Sequence, residues 1–135
     1  MIDFKEISYQ YLSQIITEHK LSIKLRHPFR CFSIIKENQE VGLMCIGEKD
    51  KETAESSLYI FKNFKFKVLF KNNLIKIINF PFNLGYKKVI ASTKIRSLAR
   101  LLECFSFEGV QLLENFFEDD SDKEKFWFCK VKGGV

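Results

Sequence analysis

Ser57 to Gly109, SLYIFKNFKFKVLFKNNLIKIINFPFNLGYKKVIASTKIRSLARLLECFSFEG, is the stretch that decides the fold. Its opening, SLYIF (57–61), has the aromatic and β-branched make-up of a strand. From Lys67 to Asn79 the apolar residues recur at helical spacing, which predicts a helix that Pro81 stops. Asn83-Leu84-Gly85-Tyr86 predicts a turn, KKVIAS (87–92) a second strand, and Ile95 to Cys104 a second helix. Strand, helix, strand, helix, with a strand to follow, is an α/β pattern.

Upstream, IDFKEIS (2–8) alternates as a short first strand. Tyr9 to His19 places Tyr9, Leu12, Ile15 and Ile16 on one helical face, with Ser8 as N-cap. Lys20 to Arg30 is basic, holds Pro28 and reads as a short helix or loop. Cys31–Lys36 and Glu40–Ile46 are strands joined by the polar hairpin Glu37-Asn38-Gln39. Gly47 to Ser56 (GEKDKETAES) has the composition of a solvated loop. Downstream, Gly109–Asn115 and Lys125–Lys132 alternate as an antiparallel pair around the acidic loop 118–123. The expected order is β-α-(α)-β-β-β-α-β-α-β-β: a mixed sheet with helices on its faces.

At 135 residues this is one expected domain, residues 1–135, long enough to bury a core without staples. Hydrophobic content of 46% with 29% charged residues is globular rather than disordered. The net charge of +5 sits mostly upstream of the acidic run Glu114–Asp122, and it permits an acidic partner without naming one. Cys31, Cys45, Cys104 and Cys129 form no CxxC pair and each lies in an apolar run, so free core cysteines in a reducing compartment are expected. His19 and His27 lack a surrounding cluster of carboxylates or cysteines, so no metal site is expected. No signal peptide and no spanning apolar run is read, and the expected location is the cytoplasm, or a particle assembled in one.

The succession of elements resembles the GNAT superfamily, the acetyl-CoA-dependent N-acetyltransferases. "FNLGYKKVIAS" resembles that family's GY-then-strand passage, and "SLARLLECFSFEGV" its closing helix and turn. The resemblance implies a GNAT-like α/β fold, a mixed and mostly antiparallel sheet of six or seven strands flanked by three or four helices. In active members the loop before the first core helix reads Q/R-x-x-G-x-G/A. There the cofactor pyrophosphate docks on backbone N–H groups at a helix N-terminus, and glycines let that backbone come close. The positional equivalents here are Lys65, Phe66, Lys67, Val68, Leu69, Phe70 and Lys71. Lys65 takes the basic position, while Val68 and Phe70 stand where the glycines belong and crowd the approach.

Three more departures follow from the same resemblance. Ile95, or Lys94 one register earlier, replaces an Asn that contacts cofactor. Leu102 replaces the Tyr that acts as general acid, and Ser106 replaces the Gly of a Gly-Phe turn. The resemblance therefore implies a degenerate site, no bound cofactor, and a non-catalytic protein working through protein contacts. Small GNAT-fold proteins associated with the virions of short-tailed phages are similar in length and in a filled phosphate loop.

An active enzyme of this family would use acetyl-CoA and a primary amine. It needs a base for the amine proton, and by position the candidates are Glu55, with Glu48 and Asp50 in the loop, and Tyr59 on the strand. A third class is a nucleic-acid-binding module. Phe61-Lys62-Asn63-Phe64-Lys65-Phe66-Lys67 interleaves stacking rings with cations, although a strand end with Phe inside and Lys outside explains the same pattern. No Ser-His-Asp pattern, Walker loop or zinc spacing is present.

Overall fold

The computed structural model describes residues 2–21, 28–61, 64, 71–93, 111–113 and 126–132. In chain order the described elements are β1 (Ile2–Ile7), α1 (Tyr9–His19), β2 (Phe29–Lys36), β3 (Gln39–Glu48), β4 (Thr53–Ile60), α2 (Lys71–Asn83), β5 (Lys88–Thr93), β6 (Gln111–Leu113) and β7 (Phe126–Val131). The strands form one seven-stranded sheet in the order β1-β2-β3-β4-β5-β7-β6. Every neighbouring pair is antiparallel except β4 and β5, which run parallel and are joined through α2. This is the mixed, mostly antiparallel α/β sheet that the pattern predicts. The expected helix over 95–104 and the acidic loop lie outside the described residues.

α1 starts where Ser8 caps it, the Ser8 hydroxyl accepting from the Tyr11 N–H at 3.1 Å. It ends at Lys20, whose φ of 54° turns the chain out of the helix. Leu12 and Ile15 are buried, but Tyr9 is 62% exposed rather than on the apolar face, its hydroxyl reaching the Phe29 carbonyl instead. β2 begins two residues earlier than the sequence predicts, because Phe29 and Arg30 pair with Gly47 and Ile46. Arg30 makes a bidentate ion pair with Glu6 on β1, at 2.6 and 2.9 Å. The Arg30 hydrogen bond, aided by its charge, holds the Glu6 carboxyl below the ordinary carboxylate range. The β2–β3 turn is the two residues Glu37 and Asn38, with φ of 52° and 65°, a left-handed pair that matches strand twist.

Two expectations are corrected. The loop read over Gly47–Ser56 shrinks to four residues, since β3 runs to Glu48 and β4 starts at Thr53. Asp50 makes so short a turn feasible: its carboxylate accepts from the Glu52 and Thr53 backbone N–H groups at 2.9 and 2.8 Å. The polar run Thr53–Ser56 then enters the middle of the sheet, paired with β3 on one side and β5 on the other. The second correction is that Pro81 does not stop the helix. α2 continues to Asn83 with Pro81 inside it. Leu74, Ile77, Pro81 and Phe82 form one buried stripe at i, i+3, i+7 and i+8, so the ring packs while costing a hydrogen bond only in the last turn. Gly85, at φ 105°, then reverses the chain into β5.

The sheet divides the core in two. On one face α2 covers Phe32, Ile34, Met44, Ile46, Ala54, Ile60 and Phe128. Phe80 stacks on Phe4 at 4.0 Å and meets Phe32 edge-on at 4.8 Å. On the other face α1 packs over Cys31, Leu43, Cys45 and Phe61, with Tyr59 at the edge of that cluster. A β-bulge between Ile34 and Ile35 leaves Val41 as the extra residue on β3 and brings Glu40 under α1. There Glu40 accepts from Tyr11 and Ser33 hydroxyls.

Candidate functional site

The one parallel pair among the described residues, β4–β5, locates the candidate site, because ligands of such sheets lie beyond the carboxyl ends of parallel strands. Among the described residues the β4–β5 ladder ends at Ser57↔Ser92. β4 then continues through Leu58, Tyr59 and Ile60 with β3 alone as its neighbour, while β5 continues its pairing with β7 to Thr93↔Phe126. The strands therefore stop pairing three residues before β4 ends. The connection to α2 leaves from this point, with Phe61 donating to the Val41 carbonyl at 3.0 Å and Phe64 to the Phe61 carbonyl at 2.8 Å. Phe61 is buried and stacks flat on His19 at 3.6 Å, which supports the structural reading of the Phe/Lys alternation at that position.

Glu55, Ser57 and Tyr59 alternate onto the α1 face of β4, so one side of the strand carries a carboxylate and two hydroxyls up to the point of separation. Glu55 is buried at 8% exposure, opposite Gly47 on β3 and Ile90 on β5. Gly47 contributes no side chain there. Ser57 faces Cys45, and Tyr59 faces Leu43. Burial is the main reason that the Tyr59 phenol is pushed up to about 12; the neighbouring Cys45, Cys31 and Glu55 side chains add to it, and a hydrogen bond with Ser57 opposes it. A phenol so held keeps its proton at neutral pH. It can donate a hydrogen bond or a proton, but it is a poor base.

Glu48 and Asp50 stand at the other end of β4. Asp50 is occupied by the turn, and Glu48 accepts from the Tyr86 hydroxyl at 2.9 Å. Four residues of strand, roughly 13 Å, separate Thr53 from Ser57, so neither loop carboxylate reaches the separation. Of the sequence candidates, Glu55 and Tyr59 share the α1 face of β4 but stand four residues of strand, again roughly 13 Å, apart, while Glu48 and Asp50 lie at the other end. Lys65, Phe66, Lys67, Val68, Leu69 and Phe70 lie outside the described residues, as do Lys94, Ile95, Leu102 and Ser106; Lys71 opens α2. Among the described residues, no group of three or more His, Cys, Asp or Glu side chains is placed to hold a metal, and no helix is long and apolar enough to cross a membrane.

Sequence reading missed Ser57 and the thiols of Cys31 and Cys45, which meet at 3.0 Å beside Tyr59. Their grouping depends on the β2–β3–β4 register, which no spacing along the chain reveals.

No family model and no curated sequence matches the chain. Solved structures do. A GNAT family acetyltransferase from Elizabethkingia anophelis with acetyl-CoA bound aligns at a TM-score of 0.59 and 17% identity, over 96% of this chain and 97% of its own. The spermidine/spermine N-acetyltransferase of Vibrio cholerae aligns at 0.65 and 10% identity, over 98% and 94%. A GNAT family acetyltransferase from Staphylococcus aureus aligns at 0.61 and 14% identity, over 97% and 99%. At such identities the likeness establishes architecture alone: the chain has the GNAT acetyltransferase fold.

Proposed function

We propose that the chain is a GNAT-fold protein whose acetyl-CoA site is degenerate, and that it is non-catalytic and acts through contacts with other proteins. The observation that carries this reading is the side-chain content of the connection from β4 to α2. In a GNAT fold the diphosphate is held by backbone N–H groups where that connection enters the helix, and such donors serve only if the backbone is bare enough to be approached. Val68 and Phe70 put a β-branched group and an aromatic ring at the two positions that need glycine. Leu102, at the position of the general acid, adds a second loss, since it has no proton to give to a leaving thiolate. Val68 and Phe70 at the glycine positions also fit a role as a virion-associated or internal phage protein, by likeness to the small GNAT-fold proteins of that kind.

One observation favours a second reading, an active acetyl-CoA-dependent N-acetyltransferase with an atypical phosphate loop. Glu55 and Tyr59 share a face of β4 on either side of the point where it separates from β5, Glu55 two residues before the last pair and Tyr59 two beyond it. There Glu55 would take the proton of a primary amine, and Tyr59, which keeps its own proton, would donate. Steady-state thiol release from acetyl-CoA with an amine panel that includes spermidine separates the two readings. The first expects a rate equal to the amine-free control. Amine-dependent release that Glu55→Gln abolishes supports the second.

A further inference from the structure

Cys31 and Cys45 are register partners on β2 and β3. Directly opposed residues of an antiparallel pair hold their Cα atoms about 4.5–5.5 Å apart. That lies within the roughly 4.4–6.8 Å that a disulfide spans. Both thiols are free, they are 2% and 0% exposed, and their sulfurs lie 3.0 Å apart. Two side chains on adjacent strands therefore aim sulfur at sulfur with no backbone movement required. Their neighbours on the same face are Ser57, which faces Cys45 across β3–β4, and Tyr59.

We propose that Cys31 and Cys45 form a redox modification site, a cross-strand dithiol that hydrogen peroxide converts to a disulfide. In the first step the Cys31 sulfur attacks the peroxide O–O bond. One oxygen stays on sulfur as a sulfenic acid, and the other leaves as water with the thiol proton. In the second step the Cys45 sulfur attacks the sulfenic sulfur, the S–S bond forms, and the hydroxyl group departs as water with the Cys45 proton. Two thiols are oxidised and one peroxide is reduced to two waters. The order of the steps follows from the pair itself. Cys31 is the less enclosed of the two, at 2% exposure against 0% for Cys45, so a peroxide reaches it first; the hydrogen bond with Cys31, with burial, pushes the Cys45 thiol up. Burial makes the reaction slow, which distinguishes this pair from an exposed reactive thiol. The product ties β2 to β3 under α1, on the face that carries Glu55 and Tyr59. Neither the chemistry nor its test depends on whether the chain binds a cofactor.

The test uses the whole chain, incubated with hydrogen peroxide, blocked with an alkylating agent while folded, and mapped by mass spectrometry without reduction. The expected result is a peptide pair joined through Cys31 and Cys45, lighter by two hydrogens, and released by dithiothreitol. Two of the four cysteines are then lost to alkylation after unfolding. In Cys45→Ser the link is absent, and a sulfenic acid at Cys31 is trapped by dimedone. Should that variant fail to fold, the map of the unaltered chain decides alone. Full alkylation of both thiols after peroxide treatment, sulfinic or sulfonic acids in place of the link, or links made only through Cys104 or Cys129 would overturn the proposal.

Discussion

Replacing Gly42 by alanine tests the packing that holds the end of β4 in place. Gly42 sits on β3 opposite Ile60, one residue beyond the bulge that Val41 creates. It lies outside the left-handed glycine region, so its requirement is space rather than backbone freedom. A Cβ added there would stand 2.6 Å from the Tyr59 carbonyl oxygen, 3.1 Å from Ile60 Cδ1 and 3.3 Å from Ile60 Cα. The first and last of these are main-chain atoms of the paired strand, which cannot swing aside as a side-chain tip can. Restoring the carbonyl contact to 3.4 Å needs a displacement of about 0.8 Å, shared between strands that are hydrogen-bonded to each other. Overpacking of this kind costs roughly 1–3 kcal/mol. The lower entropy of the unfolded alanine chain returns about 0.4–1 kcal/mol. The net expectation is a loss of about 1–2 kcal/mol. With a slope of about 1–3 kcal/mol per molar urea, the midpoint falls by roughly 1 M at constant slope. Urea titration followed by the fluorescence of Trp127, the one tryptophan, reads this directly. An unchanged or raised midpoint would mean that β3 and β4 are not apposed as described here, and the placement of Tyr59 would fall with it.

Two further predictions bear on the site. The folded Tyr59 phenol titrates near 12, above the ordinary tyrosine value of about 10, so its contribution to stability is complete below pH 10 and is lost as pH rises from there through 12. Tyr59→Phe should therefore lose the highest-pH step of the phenolate absorbance titration and flatten the fall in stability over that window; an unchanged profile would mean the phenol is not enclosed. The paired substitution Val68→Gly with Phe70→Gly should raise affinity for coenzyme A if those side chains are what blocks the loop, and equilibrium dialysis showing no gain would place the defect elsewhere.

The readable part of the fold was the part with local signals. Ser8 followed by the apolar stripe of α1 fixed that helix to its observed ends, and Asn83 to Tyr86 marked the chain reversal before β5. The errors came where sheet or helix context overrode local composition. Thr53, Glu55 and Ser56 look like loop residues, yet a strand flanked on both sides accommodates them because its backbone is paired between β3 and β5. Pro81 looks like a terminator, but a buried stripe carries α2 one turn past the predicted end. The candidate site was legible one residue at a time. Glu55 and Tyr59 stood out as ionisable groups near a strand. Their alignment with Ser57, Cys45 and Cys31 exists only once the register is known.

Calorimetric titration of the folded chain with acetyl-CoA at high micromolar concentration tests the proposed loss of the cofactor site most directly. With valine and phenylalanine at the proposed glycine positions, the proposal predicts heats of dilution only, with no saturable isotherm. A one-site isotherm that saturates in that range, and that coenzyme A displaces, would contradict it and return the chain to the cofactor-binding members of its fold.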